Sequence, residues 1–324
     1  MSSKITFIDL FAGIGGFHTA LHNLGAECVF VSEWNEPARQ TYRANYEKIS
    51  PKIFAPENID KTFVGDITKV DPRDIPDFDI ITGGFPCQPF SQAGHKKGFD
   101  DTRGTLFFDI ARIIKEKQPE AFFLENVRGL LKHDGGKTFD TIKKVLTEEL
   151  GYSFYYKIIK ASDYGVPQHR PRLFMVGFKD NSIKFEFPEP RELKMKMKDV
   201  FEAKEVNREI GFTLRVGGRG SGLDDRRNWD TYLVDGEVKR LTPKEGLRLQ
   251  GFPDSFKFPV SETQAMKQLG NSVAVPAIQA TAEQIVKALK ESRSMAQALE
   301  AQVGSESSST ALDINPVLRT EELG

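Results

Sequence analysis

Residues 5–25 constrain this chain more than any other stretch. Ile5–Phe11 is a short run rich in β-formers, and it ends in a cluster of glycines at Gly13, Gly15 and Gly16. Phe17, Ala20, Leu21 and Leu24 then recur at helical spacing, Gly25 stops the helix, and Cys28–Val31 begins a second strand. A strand that turns through glycines into a helix and returns as a strand opens a parallel α/β sheet. Backbone N–H groups at such a turn are expected to face the crevice above the sheet, where they suit a pyrophosphate or a methionine carboxylate. The spacing is not G-x-G-x-x-G, which argues against NAD. A plain tight turn is the alternative.

The same alternation continues. Further strands are expected at Asp79–Ile81, Ala121–Leu124, Ser153–Ile159 and Arg172–Val176, with helices at Thr105–Lys117 and Thr138–Leu150. The fold class is therefore α/β, a doubly wound and mostly parallel sheet covered on both faces. After about residue 178 the rhythm breaks. Residues 179–240 mix Lys, Glu, Gly and Arg with little periodicity, and helix is expected again near Glu262–Leu269 and Pro276–Glu291. This divides the chain into a main domain (1–178 and 263–291), a smaller domain (179–262) and a disordered or loosely attached tail (292–324).

Composition narrows the class. No run of about 18 apolar residues is present, so no membrane span is expected. Met1–Lys4 leads directly into the first strand rather than into a signal peptide. Cys28 and Cys87 are the only cysteines, which argues for a reducing cytoplasm and against a disulfide scaffold or a Cys/His zinc site. The net charge of −1 conceals an acidic tail: residues 1–290, with 43 basic and 40 acidic side chains, carry +3. That mildly basic body permits a nucleic-acid partner without demanding one.

Five places carry residues of chemical interest. Glu33, at the end of the second strand, suits ribose hydroxyls, and Trp34 beside it offers a flat face to adenine; an ordinary surface acid is the alternative. Gly83-Gly84-Phe85-Pro86-Cys87-Gln88-Pro89-Phe90-Ser91 sits past a strand end and holds one thiol in a loop of fixed shape. Cys87 is either a nucleophile with a lowered pKa or a buried apolar residue. Glu125 ends another apolar strand, as a proton donor or as a loop acid. Arg170 and Arg172 alternate along a strand, so that one points into a site and the other into its surroundings, unless they form a surface ion pair. Gly270-Asn271-Ser272-Val273 is a polar turn or a simple helix cap.

Taken together and in this order, these segments resemble the cytosine-5 DNA methyltransferases of bacterial restriction-modification systems. The resemblance spans residues 4–290 and includes Gly65-Asp66-Ile67, Glu125-Asn126-Val127, Gln168-His169-Arg170-Pro171-Arg172, Arg240-Leu241-Thr242-Pro243 and Gly251-Phe252-Pro253. It implies a Rossmann-like, S-adenosylmethionine-dependent fold in which residues 179–262 form the target-recognition domain. It further implies that Cys87 adds to C6 of a flipped cytosine, that Glu125 protonates N3, and that Arg172 holds the ring with Arg170 nearby. Phe11, Gly13, Gly15, Glu33, Trp34, Asp66, Ile67 and Pro86 fall at cofactor positions. Asn271 falls there too and is expected to fix the Pro86–Cys87 loop.

Double-stranded DNA is the implied partner, met by Gln88, Ser91, Arg215, Arg219, Arg226 and Arg227; a flexible basic loop that binds only phosphate is the alternative for the four arginines. Thr213-Leu214-Arg215 through Asn228-Trp229-Asp230 is similar to recognition segments for GGNCC-type sites. A cognate restriction endonuclease is a functional partner on this reading, and the enzyme is expected to be a monomer without a metal. Two rivals remain: a tRNA cytosine-5 methyltransferase, and an NAD-dependent oxidoreductase that would leave Cys87, Glu125 and the Gln168–Arg172 segment without a task.

Overall fold

A computed structural model describes residues 4–86, 105–217 and 220–309. The opening unit follows the expected pattern: β1 (Thr6–Leu10), the glycine turn, α1 (Gly16–Asn23) and β2 (Glu27–Ser32). After α2 (Glu36–Tyr46) come a single helical turn, α3 (Ile59–Thr62), the two-residue β3 (Phe63–Val64) and β4 (Ile80–Gly84). Next are α4 (Leu106–Lys117), β5 (Ala121–Val127), α5 (Lys137–Lys144), β6 (Tyr155–Lys160) and β7 (Pro171–Phe178). The expected helix Thr138–Leu150 is α-helical only to Lys144 and ends in a wider π-type turn, Val145–Glu149.

The seven strands form one sheet in the order β3-β2-β1-β4-β5-β7-β6. All pairs from β3 to β5 are parallel, whereas β7 runs antiparallel to both β5 and β6. Strand order reverses between β1 and β4, so the loops after β1, β4 and β5 open onto one crevice. Successive strand residues point to opposite faces. Phe7 and Phe123 join the layer of α1 and α2, while Ile8 and Phe122 join that of α4 and α5. Burial on both faces explains why these strands read as continuous apolar runs.

The region after residue 178 has more order than its composition suggests. It contains α6 (Met197–Phe201) and a separate hairpin of β8 (Thr231–Val234) and β9 (Glu237–Arg240). Asp235 and Gly236 close the hairpin with φ of 50° and 81°, the left-handed pair that a two-residue turn requires. Helix returns earlier than expected, at α7 (Pro243–Gln250), where Thr242 and Glu245 cap each other's backbone. The chain then forms α8 (Glu262–Asn271) and α9 (Val275–Ser309), which packs on α1.

The tail expectation is corrected for residues 292–309, which continue α9. Two causes are visible. Ser294–Val303 is rich in strong helix formers, and Arg293 anchors the extension by pairing with Glu120 at 2.8 Å and with Asp79. No helix among the described residues is long and apolar enough to cross a membrane.

Candidate active site

A cavity of about 1340 Å³ opens at the carboxyl ends of the parallel strands. Its walls bring together Phe11, Gly13, Glu33, Trp34, Asp66 and Ile67 from one half of the sheet. Pro86, Glu125, Arg170, Arg172 and Asn271 line it from the other half. Among the described residues predicted for cofactor or catalysis, only Gly15 stays off the wall. Cys87, Gln88, Ser91 and Arg219 lie outside the described residues.

The glycine turn works differently from the sequence expectation. Ala12 N–H donates to Ser32 O at 3.0 Å, and Gly15 N–H to Ala12 O at 2.8 Å. Gly13 N–H donates to Glu33 Oε2 at 2.7 Å. These amides therefore hold the turn together instead of facing a ligand. Gly15 has φ of +82°, and a Cβ there would lie 2.4 Å from the Tyr46 ring, so its role is close packing. Phe11, with φ of 54°, holds the same strained left-handed region without a glycine's freedom.

Glu33 accepts a second bond from Asn35 N–H at 2.7 Å, pinning the turn to the end of β2. Burial raises its carboxyl above the usual range, and its backbone donors oppose the rise. Each oxygen retains a lone pair for a ligand. Trp34 is 83% exposed, an open aromatic face. Asp66 caps the 3-10 turn Ile67–Lys69, accepting from the Thr68 N–H at 3.1 Å and the Thr68 hydroxyl at 2.7 Å.

Chemistry concentrates at the end of β5. Glu125 pairs in register with Gly84 of β4, two residues before Pro86. Its Oε1 lies 3.0 Å from Arg172 Nε on β7. Desolvation raises the Glu125 carboxyl above the usual carboxylate range, with Arg172 and then Arg170 pulling it back. Asn126 donates from Nδ2 to Phe85 O at 2.8 Å, fixing the backbone just before Pro86 and Cys87. Asn271, also expected to fix this loop, lies exposed on the cavity wall, and the loop from Cys87 onward is outside the described residues. Asn126 was legible only as part of its motif; its neighbour across the sheet is 41 positions away.

Arg170, expected beside the ring-holding Arg172, is a rivet. Its guanidinium is buried and donates to Leu214 O at 3.0 Å, to Gly270 O at 3.0 Å and to Ser272 O. Burial and the neighbouring Arg172 charge lower it to about 9, which leaves it protonated at neutral pH. Gln168, fully buried, donates to Leu249 O at 2.7 Å and accepts from Leu214 N–H at 3.0 Å. The Gln168–Arg172 segment thus bolts residue 214 and the α8 terminus to the strand beside Glu125.

A second cavity of about 500 Å³ lies beside α8, with Arg215, Arg240 and Lys267 on its walls and Trp229 and Met266 beneath. Lys267 lines both cavities. Gly270 brings Arg215 there: a Cβ on Gly270 would sit 2.4 Å from Arg215 O. Arg227 is instead bound to Asp225, through Nε at 3.1 Å and Nη2 at 2.8 Å. Arg226 is exposed. Arg240 and Lys267 were not among the DNA-contact candidates, because both lie outside the glycine-arginine stretch of residues 215–227.

Fold and cavity define a doubly wound α/β enzyme of the methyltransferase type. Two solved structures share this fold: a Spodoptera frugiperda DNMT2 variant and the S. pombe Dnmt2 methyltransferase. Each has a TM-score of 0.64 at 18% identity and covers 88% of this chain and 99% of its own. The chain belongs to the C-5 cytosine-specific DNA methylases, whose family model matches residues 5–218 and 211–287. Similar relatives include the Type II methyltransferase M.SsoII of Shigella sonnei, 46% identical over 89% of this chain and 82% of its own. M.HpaII of Haemophilus parainfluenzae is 44% identical, covering 89% and 91%. M.HhaI of Haemophilus parahaemolyticus is 40% identical, covering 88% and 95%. The activity is that of a DNA (cytosine-5)-methyltransferase, and the oxidoreductase reading is set aside.

Proposed function

We propose that this enzyme methylates C5 of a cytosine flipped out of duplex DNA, with S-adenosylmethionine as donor and Cys87 as a transient nucleophile. The observation that carries this reading is the buried Glu125–Arg172 pair, set in one cavity with Trp34, Asp66 and the Asn126-held approach to Cys87. The cavity also suits the donor. Polar side chains of Thr105 and Gln268 lie on its wall beside Glu33 and Asp66. Glu33 and Asp66 would hold the ribose end and Trp34 the adenine. The donor supplies an electrophilic methyl on a sulfonium.

The protein's own steps follow from the geometry. Extruding the base costs a few kcal/mol and brings its ring edge to Glu125. Cys87 adds as thiolate to C6, and Glu125, its carboxyl raised by burial, holds the proton at N3 as negative charge builds there. C5 becomes enamine-like and is methylated; loss of the C5 proton then expels Cys87. Arg172 orients Glu125, and Arg170 holds the surrounding backbone. Residues 179–262 read the target, with Arg215, Arg240 and Lys267 on the DNA side. Like relatives with Type II names, the enzyme would serve as the modification half of a restriction-modification system, as a cytoplasmic monomer.

Tritiated methyl transfer to duplex DNA and to tRNA tests the substrate class, and transfer to tRNA alone would reject it. Cys87→Ser should abolish transfer and leave DNA binding intact. A duplex with 5-fluorocytosine at the target should trap the wild-type enzyme covalently. No adduct on an otherwise methylated duplex would remove the C6-addition step.

A further inference from the structure

The turn at residues 66–70 is anchored by the buried Ile67 side chain and held by its backbone from two sides. One side hangs from β3, an edge strand of two residues, where Glu33 N–H donates to Val64 O at 3.0 Å and the Ser32 hydroxyl to Gly65 O at 3.2 Å. Its other side is held from α4, 42 to 45 positions later. Arg112 donates from Nη1 to Val70 O at 2.6 Å and from Nη2 to Ile67 O. Its Nε is bound to Asp109 Oδ1 at 2.8 Å, one helical turn earlier, which keeps the fork aimed at the turn.

We propose that Arg112 is a positioning residue for the methyl donor, setting Asp66, Ile67 and Thr68 in the adenosine part of the cavity by gripping the Ile67 and Val70 carbonyls of their turn. This rests on the reading of that cavity as an S-adenosylmethionine site. Arg112 and Asp109 both lie on the cavity wall, as do Asp66, Ile67 and Thr68. A guanidinium suits the task because its rigid planar fork aims at two acceptors and an acid at once, whereas an ammonium on a flexible stem has no such fixed geometry. Thr105, just before α4, lies on the same wall. The grip therefore also sets the distance between the Ile67 turn and the start of α4.

The role makes a distinctive claim about which constant moves. Arg112→Gln should weaken binding of S-adenosylmethionine and S-adenosylhomocysteine by about tenfold or more, equivalent to ~1.4 kcal/mol. Arg112→Lys, which regains one carbonyl, should fall between Gln and wild type. Duplex affinity without cofactor should stay within about twofold, and KM for the donor should rise while kcat at saturating donor is largely kept. Calorimetric titration of wild type, Arg112→Lys and Arg112→Gln reads the donor affinities without turnover. If the variants bind the donor as wild type does, or if kcat falls with KM unchanged, Arg112 is a structural bolt and the proposal is wrong. Failure of wild type itself to bind the donor would reject the cavity reading. Should Arg112→Gln not fold, Arg112→Lys alone decides.

Discussion

Arg172 Nε stands 3.0 Å from Glu125 Oε1, on the strand that runs antiparallel to Glu125's own. The pairing opposes burial without abolishing its effect, so the carboxyl can hold a proton and yet stay oriented. Glu125→Gln keeps the shape and loses the proton. Methyl transfer should fall by about 10²-fold or more, the usual scale for a general acid, with donor affinity unchanged. Weakened donor binding with normal single-turnover chemistry would move Glu125 out of the catalytic step.

Arg170 joins three backbone carbonyls from two segments that flank the cavities. Arg170→Lys reaches fewer of them and leaves the rest buried without a donor. Each hydrogen bond to a charged group is worth roughly 1.5–3 kcal/mol, so the unfolding free energy should drop by at least about that much. Donor affinity and DNA affinity should both weaken, since Gly270 lines the first cavity and Leu214 directly precedes Arg215 of the second. Chemical denaturation with parallel binding assays checks this, and a stable variant defective only in kcat would restore Arg170 to the chemistry.

Asp9 lies buried in β1 with neither carboxyl oxygen hydrogen-bonded, although Thr82, Tyr42 and the His18 amide are close. Desolvation, reinforced by the Glu33 charge, raises its pKa well above the carboxylate range. A raised acid favours folding at low pH, and that contribution is lost as pH climbs through the folded-state value. Asp9→Asn removes the titration. The variant's melting temperature relative to wild type should be higher at pH 8 than at pH 5.5. A difference that is flat with pH would mean that Asp9 is ionised and paired in solution.

Cations on the DNA side should divide by their local partners. Lys267→Gln and Arg240→Gln should each lower the slope of log K against log salt by about 0.9 for every phosphate the side chain neutralises, alike on target and non-target duplexes. Arg227→Gln should change little, because Asp225 already neutralises that arginine. Weakening confined to the target sequence would make Lys267 or Arg240 a base reader instead.

Strands and the crevice were legible because doubly buried strands leave continuous apolar runs between glycine turns, as Ile80–Gly84 and Ala121–Val127 show. Two elements of the smaller domain were missed although local signals existed. Asp235-Gly236 is a hairpin turn, and Thr242-Pro243-Lys244-Glu245 is a capped helix start. The backbone partners of Asn126, Arg170 and Arg112 were not readable. Each depends on carbonyls 41 or more positions away, and backbone carbonyls carry no residue identity. Glu33 was placed correctly at the cavity, but its bond to Gly13 needed the turn's coordinates.

The packing of α9 on α1 has a consequence for the order of synthesis. Asn23 donates to Gln279 across 256 positions, and Gly16, at the start of α1, leaves room only for Val273. At about 5–20 residues per second, a ribosome needs roughly 13–50 s to supply these partners once α1 has emerged. During that interval the glycine turn lacks its backing layer, so a growing chain carries the first ligand-binding strand without a finished pocket. Nascent chains arrested before residue 272 should retain no donor, and those released after residue 290 should retain it. Modification of the host's DNA would then begin only with completed molecules.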